Sequence, residues 1–215
     1  LVRRRRVPVL IVCAVWALLI LQSRYREVWR QRQAFHLELL PTEEGSRILP
    51  EDARPLARKV EHVTGRRPFI LANMIRLALG KYAISKSAPD VAEVVRNQAD
   101  VESSRLVSTM GTVQYLAWAI PAIGFVGTVR GLAGAFGMAG AGKELAMDEF
   151  AKQASDQFKI AFDCTLVALL LSLVLMYLVH VVQRAEEMLV VDAQEYCQEH
   201  LLLRLYDPSA LPEAV

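Results

Sequence analysis

The chain has 215 residues, of which 53% are hydrophobic, with 25 Lys+Arg against 23 Asp+Glu and a net charge of +2. A positive mean hydropathy alongside that many charges requires the two residue classes to be segregated along the chain. Three cysteines, an odd number, imply no disulfide framework; no phosphate-cradling Gly loop, nucleophile elbow or His-Glu-x-x-His element supports an enzyme, and nothing calls for a cofactor, a metal or nucleic acid.

Residues 1–22 read as an amino-terminal membrane anchor. Arg3 to Arg6 precede the apolar run Val7 to Gln22, whose 16 residues fall slightly short of a usual span, and Arg24 and Arg26 can snorkel to complete the crossing. The basic start and the run's length also fit a signal peptide. No small-x-small cleavage site follows, so an uncleaved anchor is the expectation.

Residues 23–106 form a polar but patterned loop, expected to be mostly helical. Tyr25, Val28, Trp29, Phe35 and Leu39 recur at near-helical spacing until Pro41, Glu43-Glu44-Gly45 and Pro50 interrupt them. Phe69 to Tyr82, after Pro68, predicts a short amphipathic helix. From Asp90 no Pro or Gly appears before Gly111, so a helix capped near Ser87 or Asp90 is expected to run unbroken into the next apolar segment.

Residues 107–183 read as a transmembrane hairpin. Val107 to Val129 is a run of 23 residues without a charge, and Ile160 to Val182 is a second run of 23 whose only acid is Asp163. Each is long enough to cross roughly 30 Å of hydrocarbon. In the first, Gly111, Gln114, Pro121, Gly124, Thr128 and Gly131 are assigned to one small and polar face, and Val113, Leu116, Ile120 and Ile123 to a lipid face. Small residues permit close backbone approach, so Pro121, Gly124, Gly127 and Gly131 are the expected helix-packing positions, Gly127-x-x-x-Gly131 being a small-x-x-x-small pair. In the second run Ala161, Thr165, Ala168 and Ser172 make a narrow stripe with two hydroxyls, which suits a water-lined path and equally suits bonds back to the preceding turn.

Asp163 is a candidate for an ion path because an acid within a span is expensive; pairing with Lys159 at the membrane surface is the competing reading. It lies about 200° around the helix from Thr165, so the two do not share a face. Residues 184–215 form a carboxyl-terminal tail, helical through Leu205, with Met188, Val191, Tyr196 and Leu202 among its apolar positions. Cys197 and His200 have metal-like spacing but no second pair. Basic residues favour the cytoplasm: seventeen lie in the loop and tail against eight on the other side, so loop and tail are expected to be cytoplasmic, although Arg3 to Arg6 argue the other way.

The stretch Ile120-Pro121-Ala122-Ile123-Gly124-Phe125-Val126-Gly127-Thr128-Val129-Arg130-Gly131-Leu132 resembles the Pro-x-x-Gly-x-x-Gly-Thr-Val-x-Gly signature of the MotA/TolQ/ExbB proton channel family, in its TolQ/ExbB-like branch. Ala161 to Leu173 is similar to that family's following span, and about 90 residues, from 95 to 184, carry the resemblance. It implies an all-α integral membrane protein with three transmembrane helices, the second and third reaching into the cytoplasm. It implies also a homopentamer in a bacterial inner membrane around a single-span partner of the ExbD/TolR/MotB kind, whose Asp takes up and releases the proton. Thr128 and Thr165 match the pore threonines; with Ser172 and Asp163 they are the expected proton-pathway lining. Two positions depart from the family pattern. Arg130 stands where Trp or an aliphatic residue is usual, and the acid lies two rather than about five positions before the Thr. The function implied is a subunit of a proton-driven motor, and the alternative is a non-conducting scaffold of an envelope complex.

Overall fold

The computed structural model describes residues 6–37, 39–40, 47–65, 69–139 and 147–206. The described chain is helical: α1 (Arg6–Arg32), α2 (Ala53–Thr64), α3 (Ile70–Ser85), α4 (Ala88–Ala139) and α5 (Met147–His200), with short 3₁₀ turns at Gln33–His36 and Leu202–Arg204. Three of the helices contain stretches long and apolar enough to cross a membrane, on α1, α4 and α5. Among the described residues the fold is all-α, with three such helices, as in a membrane protein. Arg3 to Arg5, Pro41, Glu43 to Gly45, Pro68 and Lys143 lie outside the described residues.

The amino-terminal apolar run continues without a break into the basic stretch, as one helix of 27 residues. The α4 helix is 52 residues long and begins where expected, with the Val91 N–H donating to the Ser87 carbonyl. The α5 helix, of 54 residues, continues through the apolar run to His200. Residues 53–64, within the segment expected to be mostly helical, form α2, a helix that no sequence signal marks individually. It ends at Gly65, whose φ of 59° is a left-handed backbone that glycine adopts without a Cβ clash, and whose N–H donates to the Glu61 carbonyl.

The chain divides into two compact units. The first comprises the chain to Ser23 with Met110–Val182, the second Arg24–Thr109 with the chain from Gln183. In the second unit, Leu71, Met74, Ile75, Ala78, Leu79 and Tyr82 of α3 are buried together with Val91, Val95 and Ala99 of α4 and Val190, Ala193 and Cys197 of α5. The fully buried Tyr82 hydroxyl lies within 3.0 Å of the Ile48 carbonyl and 2.6 Å of the Tyr206 carbonyl. Those two segments are joined by an isolated bridge between Ile48 and Leu205. Cys197 faces this core, and burial pushes its thiol up to about 12, while the His200 ring lies 4.5 Å from that of Tyr196. No group of three potential metal ligands occurs among the described residues.

In the first unit, Leu10, Ala14, Ala17 and Leu21 of α1 join Met110, Val113, Leu116, Ala117 and Ile120 of α4 and Cys164, Ala168, Leu175, Val179 and Val182 of α5 in one buried cluster. The expected lipid face of α4 is therefore corrected. Val113, Leu116 and Ile120 are buried and Ile123 is half-buried, while Gly111 and Gln114 of the supposed packed face are exposed. Eleven residues make close to three turns, so Val113 stands nearly above Gly124 rather than opposite it. With both α1 and α5 as neighbours, α4 buries a broad arc instead of a narrow stripe. Its exposed arc carries Tyr115, Trp118, Phe125 and Val126.

Candidate functional site: the hydroxyl seam between two spanning helices

Along the seam in the first unit, pairs of residues from α4 and α5 meet in descending register, so the helices are antiparallel. A Cβ added to Gly124 would stand 2.6 Å from the Ala168 Cβ and 3.4 Å from the Thr165 Cα; one added to Gly131 would stand 2.5 Å from the Ala161 Cβ. These two glycines bring the backbones together, as small residues do in membrane helix pairs. Gly127 is buried as well, whereas Gly111, Gly134 and Gly137 have open space around them. Of the four expected packing positions, Gly124 and Gly131 thus hold the close approach.

Pro121 lies inside α4 without ending it. Having no N–H, it leaves the carbonyl four residues earlier, on Ala117, without its helical donor. The Ser172 hydroxyl of α5 donates to that carbonyl at 2.9 Å. Both residues are buried. Ser172 thereby fills the vacancy that Pro121 creates, and its single proton is committed to α4.

Between the two glycine contacts stand Thr128 and Thr165. Their hydroxyls are hydrogen-bonded to each other, and both reach the Gly124 carbonyl, at 3.3 Å from Thr128 and 3.0 Å from Thr165; Thr165 also lies 3.2 Å from the Ala161 carbonyl. A hydroxyl has one proton to give and can accept two. If Thr128 donates to Thr165, then Thr165 donates to Gly124 or Ala161. If Thr165 donates to Thr128, then Thr128 donates to Gly124. The pair can therefore be polarised in either direction along the seam, and both side chains are only half-buried. The two threonines stand out in the sequence, whereas their mutual contact and their shared acceptor, the Gly124 carbonyl, are visible only in the structure.

Asp163 is exposed, on the side of α5 turned away from Thr165, and is not hydrogen-bonded to either threonine. Neither Asp163 nor Arg130 forms an ion pair with another described residue, so the competing reading, a pairing of Asp163 with Lys159, finds no ion pair among the described residues. Threonine hydroxyls do not titrate in the physiological range, so the seam can relay or orient a proton, but among the described residues no carboxylate is hydrogen-bonded to it to store one.

A model of the MotA/TolQ/ExbB proton channel family matches residues 64–195, which takes in α3, α4 and most of α5 with both threonines and both close-approach glycines. No curated protein and no solved structure matches the chain.

Proposed function

The chain belongs to the MotA/TolQ/ExbB proton channel family, and we propose that it is the channel-forming subunit of a TolQ/ExbB-like motor that couples proton entry to work at the cell envelope. Membership makes it a membrane protein of a proton channel family that acts in motor-like complexes, not of an enzyme class. The observation that carries the finer reading is the mutual hydrogen bond of Thr128 and Thr165 over the Gly124 carbonyl, half-open at the seam of the two matched spans. In this reading the two hydroxyls form part of the lining past which the proton moves. The titrating group is an Asp on a single-span partner of the ExbD/TolR/MotB kind, held inside a ring of copies of this chain, five by resemblance.

The subunit sits in a bacterial inner membrane. Residues 1–22 serve as the anchor and residues 107–183 as the channel hairpin, while the 23–106 segment and the 184–215 tail are cytoplasmic, on the side the basic residues favour. Ser172 is structural in this account, since its proton is spent on Ala117.

The assembly is tested by purifying the tagged chain from its native membrane and weighing the intact complex by native mass spectrometry. Several copies of this chain, five in the fullest form of the reading, together with a single-span protein bearing an Asp near the start of its span, is the expected composition. A chain that comes through alone, or only with soluble proteins, would overturn it and leave the scaffold alternative.

A further inference from the structure

Two charged residues at the edge of the membrane runs remain unaccounted for, and the register of α4 and α5 places them level with each other. Gly131 stands opposite Ala161 and Thr128 opposite Thr165, so Arg130 stands opposite residues 162–163, at the depth of Asp163. Both are exposed, and neither is paired with another described residue. A charge at this depth does not rest against lipid tails without a partner or water.

They lie on opposite flanks of the helix pair. Asp163 is about 200° around α5 from Thr165, which faces α4, so it points away from α4. In line with it, at helical spacing, stand Val167, Leu170 and Val174, all exposed. On α4, a shallow apolar groove of about 320 Å3 is lined by Tyr115, Trp118, Ala122 and Val126 among others. Ala122 and Val126 lie about 160° and 200° around from Gly124, so the groove faces away from α5. Arg130 follows Val126 by one turn and stands at the groove's end. By the same register the groove spans the depth of Leu166 to Tyr177 on α5.

We propose that the α4 groove of one copy receives the Val167-Leu170-Val174 ridge on α5 of the next, and that Arg130 of the first copy pairs with Asp163 of the second. A cation with a groove on one flank, and an anion with a ridge on the other at matching depth, define a head-to-tail contact. Such a contact repeats from copy to copy and closes into a ring when the rotation permits. The occupant is a second copy rather than lipid because an acyl chain could fill the groove but would leave both charges unpaired. The inference rests on the oligomeric channel reading above and adds to it the specific faces in contact. It also gives joint roles to the two residues that depart from the family pattern: Arg130 and Asp163 are one device, contributed by different chains.

The test uses two tagged forms of the full chain co-expressed in one cell, one carrying Arg130→Cys and the other Asp163→Cys, in a background with Cys13, Cys164 and Cys197 replaced by Ala. Mild oxidation should give a product carrying both tags that requires both new cysteines, and Arg130→Cys paired with Leu169→Cys should not. In parallel, Arg130→Glu and Asp163→Lys should each reduce recovery of the intact oligomer, and the two together should restore it. If the oligomer forms but the mixed crosslink is absent, or if the double reversal assembles no better than the singles, the pairing is overturned while the channel reading stands. If native mass spectrometry of the unmodified chain finds only monomer, both fall together.

Discussion

Removing the Ser172 hydroxyl should expose a debt left by Pro121. Because Pro121 has no N–H, the Ala117 carbonyl depends on the Ser172 hydroxyl 2.9 Å away. Ala117 is 1% exposed, so water cannot substitute. Leaving a buried acceptor unsatisfied costs about 1–3 kcal/mol, and interhelical hydrogen bonds measured in membranes average about 0.6 kcal/mol with a maximum of about 1.7 kcal/mol. Ser172→Ala is therefore expected to destabilise the spanning unit by about 1–2 kcal/mol. Pro121→Ala returns an N–H to the position where the helix would donate to Ala117. In that background Ser172→Ala should cost less than about 0.5 kcal/mol, giving a coupling of about 1 kcal/mol in a double-mutant cycle. The assay is reversible unfolding in mixed micelles, titrated with a denaturing detergent and followed by the Trp16 and Trp118 fluorescence. Equal losses from Ser172→Ala with and without Pro121 would refute the reasoning, because the hydroxyl would then not be serving the carbonyl that proline orphans.

Gly124→Ala should destabilise the α4–α5 pair by about 1–3 kcal/mol, since the new Cβ would stand 2.6 Å from the Ala168 Cβ. Ala168→Gly in the same chain should recover most of that loss in the same unfolding assay. Gly111→Ala, with nothing within 4 Å, should be neutral or stabilising by up to about 1 kcal/mol through helix propensity alone. Tyr82→Phe should cost the second unit about 0.5–1.5 kcal/mol by removing the hydroxyl's one hydrogen bond to the Ile48 or Tyr206 carbonyl, the former still accepting from the Tyr206 N–H, seen as faster hydrogen exchange around Ile48 and Leu205. Burial holds the Cys197 thiol up to about 12, so at pH 8 it should resist maleimide in the native protein and react once the protein is denatured; prompt native labelling would contradict its placement in the core.

Much of this architecture is legible in the sequence because its signals are one-dimensional. The 23-residue runs announce α4 and α5, and the absence of Gly and Pro from Asp90 to Met110 announces that α4 begins well before its apolar segment. The α2 helix is harder to see: Arg54, Arg58, Lys59, Glu61 and His62 crowd it with polar groups, and its buried positions are few, among them Ala53, Val60 and Thr64.

The faces of α4 differ from the expected ones because drift accumulates over three turns, and because Leu10, Ala14, Ala17 and Leu21 of α1 supply a second packing partner that local pattern cannot reveal. At the site, residue types were visible but relations were not. That Ser172 answers Pro121, and that Thr128 and Thr165 share Gly124, are facts of register between two helices. Arg130 and Asp163 are legible only as isolated oddities in the sequence; the register shows them to be level.

The central claim, that the threonine pair lines a proton path, is tested most directly by proton uptake into vesicles containing the complex purified with its single-span partner. Under an imposed pH gradient and membrane potential, uptake should persist with Thr165→Ser, which keeps the hydroxyl. It should fall to the level of protein-free vesicles with Thr165→Val, which keeps the shape, while native mass spectrometry shows the complex intact. Undiminished uptake by an intact Thr165→Val complex would contradict the account.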